Sequence, residues 1–196
     1  MDIVFATRNK GKLKEVKEIF SDISVNIKSL NDFDEDIDVI EDGNSFEENA
    51  LKKAEEIYQL LKLPVISDDS GLEVEQLNGF PGIYSARYSG ENATDKKNNL
   101  KLIKELEKLP EPHIAKFVCA AVYSDGINRL IIRGEFKGQI ISTPRGKNGF
   151  GYDPLFLPEG LNQTSAEIDS DLKNKISHRA KAFSKLKEML KSEGLI

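Results

Sequence analysis

Two adjacent carboxylates interrupt an apolar run in Val65-Ile66-Ser67-Asp68-Asp69-Ser70-Gly71-Leu72-Glu73-Val74. The apolar residues before them, bounded by Leu63-Pro64, read as a buried strand. Side chains alternate across a strand, so Asp68 and Asp69 cannot both face one way while it continues. Either one enters a site while the other braces it, or the chain turns at Gly71. Oxygen ligands at the end of a buried strand suit Mg²⁺ held against a substrate phosphate. Asp, Asp, Ser and Gly are equally ordinary turn residues, so other segments must decide.

Four further segments carry residues of the right chemistry. Thr7-Arg8-Asn9-Lys10-Gly11-Lys12 follows a short apolar run and precedes a helical pattern. A strand, polar loop and helix start offer backbone N–H groups and a positive helix end to an anion. This is not a Walker loop, because the leading Gly and the Ser/Thr after the Lys are missing. Glu41, in Ile40-Glu41-Asp42-Gly43, is a possible second oxygen ligand beside Asp69, with Asp68 a third candidate. Gly149-Phe150-Gly151-Tyr152-Asp153 places an aromatic between glycines, where a flat ligand can approach closely. Lys173 and Ser177-His178-Arg179 put donors at a helix start, with Ser177 as its cap. Each has a structural alternative: a capped helix, a solvated acid, a tight turn around a core aromatic, a packed histidine.

The elements that position these residues are legible from periodicity. Asp2 to Ala6 reads as a first strand, followed by a helix with Leu13, Val16, Ile19 and Phe20 on one face. A second strand spans Val25 to Ser29. Ser45-Phe46-Glu47-Glu48 reads as a capping box opening a helix with Phe46, Ala50, Ala54, Ile57 and Leu61 inward. Asn49 and Lys53, four apart, share a neighbouring face of it. Gly79 to Gly90 is an ordered loop rich in Gly, Pro and aromatics, in which Arg87 is read as a structural pairing residue. Thr94-Asp95 caps a helix that Pro110 and Pro112 stop. Lys116 to Ser124 and Arg129 to Phe136 form a hairpin through Asp125-Gly126, with a separate short strand at Gln139 to Ser142. His113 is read as incidental, and a last helix runs from His178 with Ala182, Phe183, Leu186 and Leu190 buried.

Bulk properties narrow the class. The chain has 196 residues, 39% hydrophobic and 31% charged, which describes an ordinary globular protein with a good core. No apolar segment approaches the ~20 residues of a membrane span, and no signal-peptide pattern opens the sequence. The single cysteine, Cys119, lies in an apolar strand and reads as core. These features together fit the cytoplasm. A net charge of −5 argues against a protein that coats nucleic acid. Nine acids and no base lie between Lys28 and Lys52, whereas Arg8, Lys10, Lys12, Lys14 and Lys17 crowd the N-terminus. Acidic beside basic suits a site where metal and polyphosphate meet.

On these motifs the chain resembles the inosine/xanthosine triphosphate pyrophosphatases, the Ham1-like proteins. The resemblance covers nearly the whole length and runs in order. It passes through Thr7-x-Asn9-x-x-Lys12, Glu41, Ser45-Phe46-x-Glu48-Asn49-Ala50-x-x-Lys53-Ala54 and Asp68-Asp69-Ser70-Gly71-Leu72. It continues through Pro81-Gly82-x-x-Ser85-Ala86-Arg87-Tyr88, Gly149-Phe150-Gly151-Tyr152-Asp153-Pro154 and Ser177-His178-Arg179.

The resemblance implies an α/β fold: residues 1–196 as one two-lobed domain around a long mixed β-sheet with flanking helices, the active-site cleft between the lobes. It implies a homodimer, a Mg²⁺ cofactor, and hydrolysis of ITP, dITP and XTP to monophosphate and pyrophosphate. By the same token Thr7, Arg8, Asn9, Lys10, Gly11 and Lys12 bind the triphosphate, and Lys53 supports the phosphates. Glu41 and Asp69 hold the metal, with Asp69 also the proton acceptor, and Ser70 touches substrate. Phe150, Gly151, Tyr152, Asp153, Lys173, His178 and Arg179 surround the base. Donors there would accept a 6-keto purine and repel adenine's amino group. Two rivals remain: another Mg²⁺-dependent phosphohydrolase, and a non-catalytic nucleotide or RNA binder whose footprint is the basic termini. The partner expected is a nucleoside triphosphate, with neither nucleic acid nor membrane.

Overall fold

Strand β1 (Asp2–Phe5) begins the sheet because Ile3, Val4 and Phe5 are fully buried, leaving no solvated face for a helix to present. The structure, a computed structural model, describes residues 1–34 and 37–196; Glu35 and Asp36 of the acidic run lie outside them. The remaining strands are β2 (Asn26–Ser29), β3 (Val65–Val74), β4 (His113–Ser124), β5 (Arg129–Ile140) and β6 (Phe156–Pro158). They form one six-stranded sheet in the order β2-β1-β3-β4-β5-β6. β1 pairs parallel with both β2 and β3, and β5 pairs antiparallel with β6, so the sheet is mixed. Among the described residues five α-helices accompany it: α1 (Lys10–Ile19), α2 (Phe46–Leu61), α3 (Asp95–Leu106), α4 (Ser170–Ile176) and α5 (His178–Ser192). Among the described residues no helix is long and apolar enough to cross a membrane.

The chain divides into two units. The first comprises Met1–Asp69, Cys119–Gly134 and Arg179–Ile196. Its core gathers Ile3 and Phe5 of β1, Val16 and Phe20, Ile66 of β3, Cys119, Ala121 and Tyr123 of β4, and Phe183, Leu186 and Leu190 of α5. Phe5 meets Phe183 edge to face with ring centroids 5.4 Å apart. The second unit comprises Ser70–Val118 and Glu135–His178. Its core gathers Leu72 and Val74, Leu102 and Leu106 of α3, Phe117, Phe136 and Phe156. Cys119 is fully buried, as a small core residue should be.

Local chemistry explains most boundaries. Asn9 caps α1, Ser45 caps α2 through the Glu48 N–H, and Thr94 caps α3 through the Lys97 N–H. α2 stops where Lys62 takes a left-handed conformation, φ 53°. Several expectations are corrected. Strand β3 does not end or turn at its carboxylates; it runs ten residues to Val74, with Gly71 buried within it. The reciprocal half of the expected capping box is displaced by one residue, since Glu48 accepts the N–H of Asn44 rather than that of Ser45. The separate strand at Gln139 to Ser142 does not exist; β5 is continuous to Ile140. β4 starts at His113, which is buried with its ring nitrogen 3.2 Å from the Leu109 carbonyl, a structural contact. Prolines 110 and 112 obscured that start. β6 and α4 were not anticipated, being three and seven residues long and too short for periodicity to register.

Candidate functional site

Alternation along β3 gives its two carboxylates different surroundings. Asp68 is 1% exposed and faces cations. Lys12 Nζ lies 3.0 Å from its Oδ1 and 2.9 Å from its Oδ2. Arg179 approaches Oδ2 through Nε and Nη2, each at 3.4 Å, while its Nη1 donates to Glu15 at 2.7 Å. Burial pushes the Asp68 carboxyl upward, but the charges of Lys12, Arg179 and Lys53 outweigh it and hold the group well below the usual carboxylate range.

Asp69 faces α2. Its Oδ2 accepts from Asn49 Nδ2 at 2.9 Å. Burial pushes its pKa up to about 6; the Asn49 hydrogen bond opposes this, the charge of Glu41 adds to it, and Lys53 and Lys12 oppose it. Neighbouring carboxylates are thus driven in opposite directions, one locked as an anion and one poised near neutrality. Perturbation of this kind marks functional sites more often than scaffolds. Lys53 binds the Asp68 main-chain oxygen at 3.0 Å and pairs with the carboxylate of Glu41. Its ammonium stays protonated because Asp68 and Glu41 outweigh the effect of burial.

The loop after β1 is organised by its own side chains. Thr7 Oγ1 accepts the Asn9 N–H at 3.1 Å, and Asn9 Oδ1 accepts the N–H groups of Gly11 at 2.8 Å and Lys12 at 3.1 Å. The N–H groups of Asn9, Gly11 and Lys12, expected to face an anion, are therefore already engaged by side chains of the loop. An incoming phosphate that takes the Gly11 or Lys12 N–H displaces Asn9. Lys10 is exposed, and Arg8 Nη2 reaches the Ile37 carbonyl at 3.5 Å.

The second unit holds a separate constellation. Asp153 Oδ2 accepts from Lys173 Nζ at 2.5 Å and from the Phe150 N–H at 2.9 Å. A Cβ on Gly149, whose φ is +74°, would sit 2.1 Å from that same oxygen, so the turn requires glycine. The Lys173 ammonium lies 5.3 Å from the centre of the Phe150 ring, and that ring is 40% exposed. Gly151 is tied to α3 through Asp95 and Asn99, and the Tyr152 hydroxyl donates to the Ser85 carbonyl at 2.9 Å. His178 stacks on Phe117, centroids 5.0 Å apart and planes 15° off parallel. Ser70, next after Asp69 on β3, is partly buried and belongs to this unit.

Sequence-predicted residues therefore fall into two groups. Lys12, Glu41, Lys53, Asp68 and Asp69 form one, and Phe150, Asp153 and Lys173 the other. Arg179, expected beside the base with His178, is 2% exposed and braces Asp68. Adjacent residues at a helix start diverge by about 100° around the axis, which separates His178 from Arg179. Glu15, Asn49 and Phe117 join these residues through Arg179, Asp69 and His178, contacts that the sequence does not announce. The signal for Glu15 was its i+3 spacing from Lys12, and for Asn49 its i−4 spacing from Lys53.

Among the described residues no group of three or more His, Cys, Asp or Glu is placed to hold a metal. The pair Asp69 and Glu41 still fits a hard divalent cation, because Mg²⁺ commonly takes one or two carboxylates and completes its shell with phosphate oxygens and water.

A mixed α/β fold here sets two carboxylates on one buried strand and meets them with lysines from two helices. The chain belongs to the Ham1 family, whose model matches residues 3–189. It is 49% identical over 195 residues to the dITP/XTP pyrophosphatase of Geobacter sulfurreducens, covering 98% of both chains. It is also 49% identical over 196 residues to the dITP/XTP pyrophosphatase of Clostridium perfringens, covering 96% of both. The solved structure of a HAM1 protein from Coxiella burnetii matches with a TM-score of 0.91 at 38% identity, over 98% of this chain and 99% of that one.

Proposed function

We infer that this chain is a metal-dependent nucleoside triphosphate pyrophosphatase. It hydrolyses the non-standard purine nucleotides ITP, dITP and XTP to monophosphate and pyrophosphate, removing them from the nucleotide pool. The observation that carries this reading is the different placing of Asp68 and Asp69 on β3: one carboxylate holds Lys12, while its neighbour faces Asn49 on the helix whose Lys53 pairs with Glu41. The names of the full-length relatives support the substrate class.

In the reaction a water oxygen bonds to the α-phosphorus, the bond from that phosphorus to the α–β bridging oxygen breaks, and pyrophosphate leaves with the bond's electrons. The water's proton passes to Asp69, for which a raised pKa is favourable. Lys12 and Lys53 offset charge on the leaving phosphates, with Thr7, Arg8, Asn9, Lys10 and Gly11 completing their binding. Glu41 and Asp69 would hold Mg²⁺, which supplies charge neutralisation on the phosphates and a more acidic water. Ser70 touches the substrate. Phe150 offers its face to the base, Gly151 to Asp153 shape the turn beneath it, and Lys173 and His178 donate to a 6-keto oxygen. Residues 1–196 act as one domain of two lobes, and the family relation supports a homodimer, which sedimentation would test.

The deciding experiment is product analysis with ITP, dITP, XTP, GTP and ATP, each with and without Mg²⁺. Pyrophosphate from the first three alone, and only with metal, supports the reading. Inorganic phosphate as the product would make the protein a different phosphohydrolase. Equal turnover of ATP would remove the base filter.

A further inference from the structure

Asn49 is 1% exposed, a depth at which a carboxamide must satisfy both its ends. Its Nδ2 donates to Asp69 Oδ2 at 2.9 Å, and its Oδ1 accepts the Gly43 N–H at 2.8 Å. The assignment of O and N follows from the partners, since a backbone N–H can only donate and a carboxylate accepts. Gly43 lies two residues after Glu41 in the same loop. One turn along α2, Lys53 makes the complementary pair of contacts, to the Glu41 carboxylate and to the Asp68 main-chain oxygen. Two side chains at i and i+4 thus stitch the Glu41 loop to β3 at its carboxylates.

Gly43 shows how close this approach is. A Cβ there would lie 2.8 Å from Asn49 Oδ1 and 2.9 Å from the Glu48 Cβ. No larger residue fits without moving the carboxamide or the loop.

We propose that Asn49 is a positioning residue for the divalent-cation site, holding the Asp69 carboxylate and the Glu41 loop in one fixed relation; this rests on the assignment of Glu41 and Asp69 as metal ligands. Lysine alone cannot do this, because an ammonium is a point charge with no acceptor, whereas a carboxamide reads donor and acceptor in one plane. Outer partners of metal ligands are worth about 10- to 100-fold in metal affinity. Asn49 acts on binding of the ion, not on the phosphorus.

The test is Mn²⁺ binding by electron paramagnetic resonance, with and without a non-hydrolysable ITP analogue, alongside kcat and KM for ITP. Asn49→Ala removes both hydrogen bonds, Asn49→Asp keeps the acceptor for Gly43 but loses the donor to Asp69, and Gly43→Ala disturbs the approach. Ser45→Ala weakens the same helix at its cap and leaves the carboxylates alone. Each of the first three should weaken Mn²⁺ binding about 10-fold or more, with activity recovering at raised metal concentration. Ser45→Ala should lower the melting temperature while leaving Mn²⁺ affinity within about twofold of wild type, a margin set by the expectation that a cap acts on the helix alone.

Unchanged Mn²⁺ affinity in whichever of the three variants fold overturns the proposal, as does a wild-type protein that binds no Mn²⁺ in either condition. If none of the three folds, Asn49 is a fold residue and the proposal is likewise overturned. A wild type that binds Mn²⁺ but releases no pyrophosphate sinks the pyrophosphatase reading instead, and leaves the role of Asn49 to be judged on binding alone.

Discussion

Lys12 Nζ touches both carboxylate oxygens of Asp68, at 3.0 and 2.9 Å, so helix α1 and strand β3 are joined by a part-buried ion pair. Arg179 closes the other side of Asp68 and continues to Glu15 on α1. A carboxylate with this many cationic neighbours is committed to charge and is a poor candidate for proton transfer. On the proposed reading its role is to hold Lys12 where the phosphates arrive.

Removing that anion should cost more than an exposed pair would. Asp68→Asn leaves Lys12 and the 2%-exposed Arg179 without their shared partner. Loss of one member of a buried pair costs about 3–5 kcal/mol, measured by urea unfolding. A loss under about 1 kcal/mol would place the pair among exposed bridges.

The same group gives a pH dependence. The folded-state pKa of Asp68 is depressed below its ordinary value. Its contribution is therefore fully present above the unfolded pKa of about 3.9 and is lost as pH falls through the lower folded value. In chelator, wild type should lose about 2–3 kcal/mol more than Asp68→Asn between pH 5 and the acid limit. Parallel curves for the two proteins would contradict this assignment.

Asp69→Asn should leave the fold nearly intact, because an amide can still accept from Asn49. Pyrophosphate release from ITP should drop about 10²–10⁴-fold, the range for a lost acid–base group. Equilibrium dialysis should show ITP binding retained. A variant that turns over ITP at the wild-type rate would remove Asp69 from the chemistry.

The proposed function places selectivity for the base at Lys173 and His178. Lys173→Met with Asp153→Asn avoids stranding a buried charge, since Lys173 and Asp153 are a close pair. The ratio of kcat/KM for ITP over ATP should fall about 10- to 100-fold, the worth of a hydrogen bond to a charged donor. An unchanged ratio would move discrimination to His178 or to the backbone of the turn.

The sequence by itself determined the strand bearing Asp68 and Asp69, the helix face of Leu13, Val16 and Ile19, the capped helices that begin at Phe46 and Asp95, the glycine turn around Phe150 and the order of the family's motifs. Those features are local: a cap, a period or a glycine is set by neighbours within one helical turn or one strand repeat. Tertiary structure alone decided which carboxylate is pinned and which is poised. It also set Arg179 against Asp68, brought Glu15 to Arg179, and turned Asn49 from a helix-face residue into the link between Asp69 and Gly43. Those partners lie between 6 and 164 positions apart along the chain. Burial and charge act through distance in space, and no one-dimensional pattern carries that.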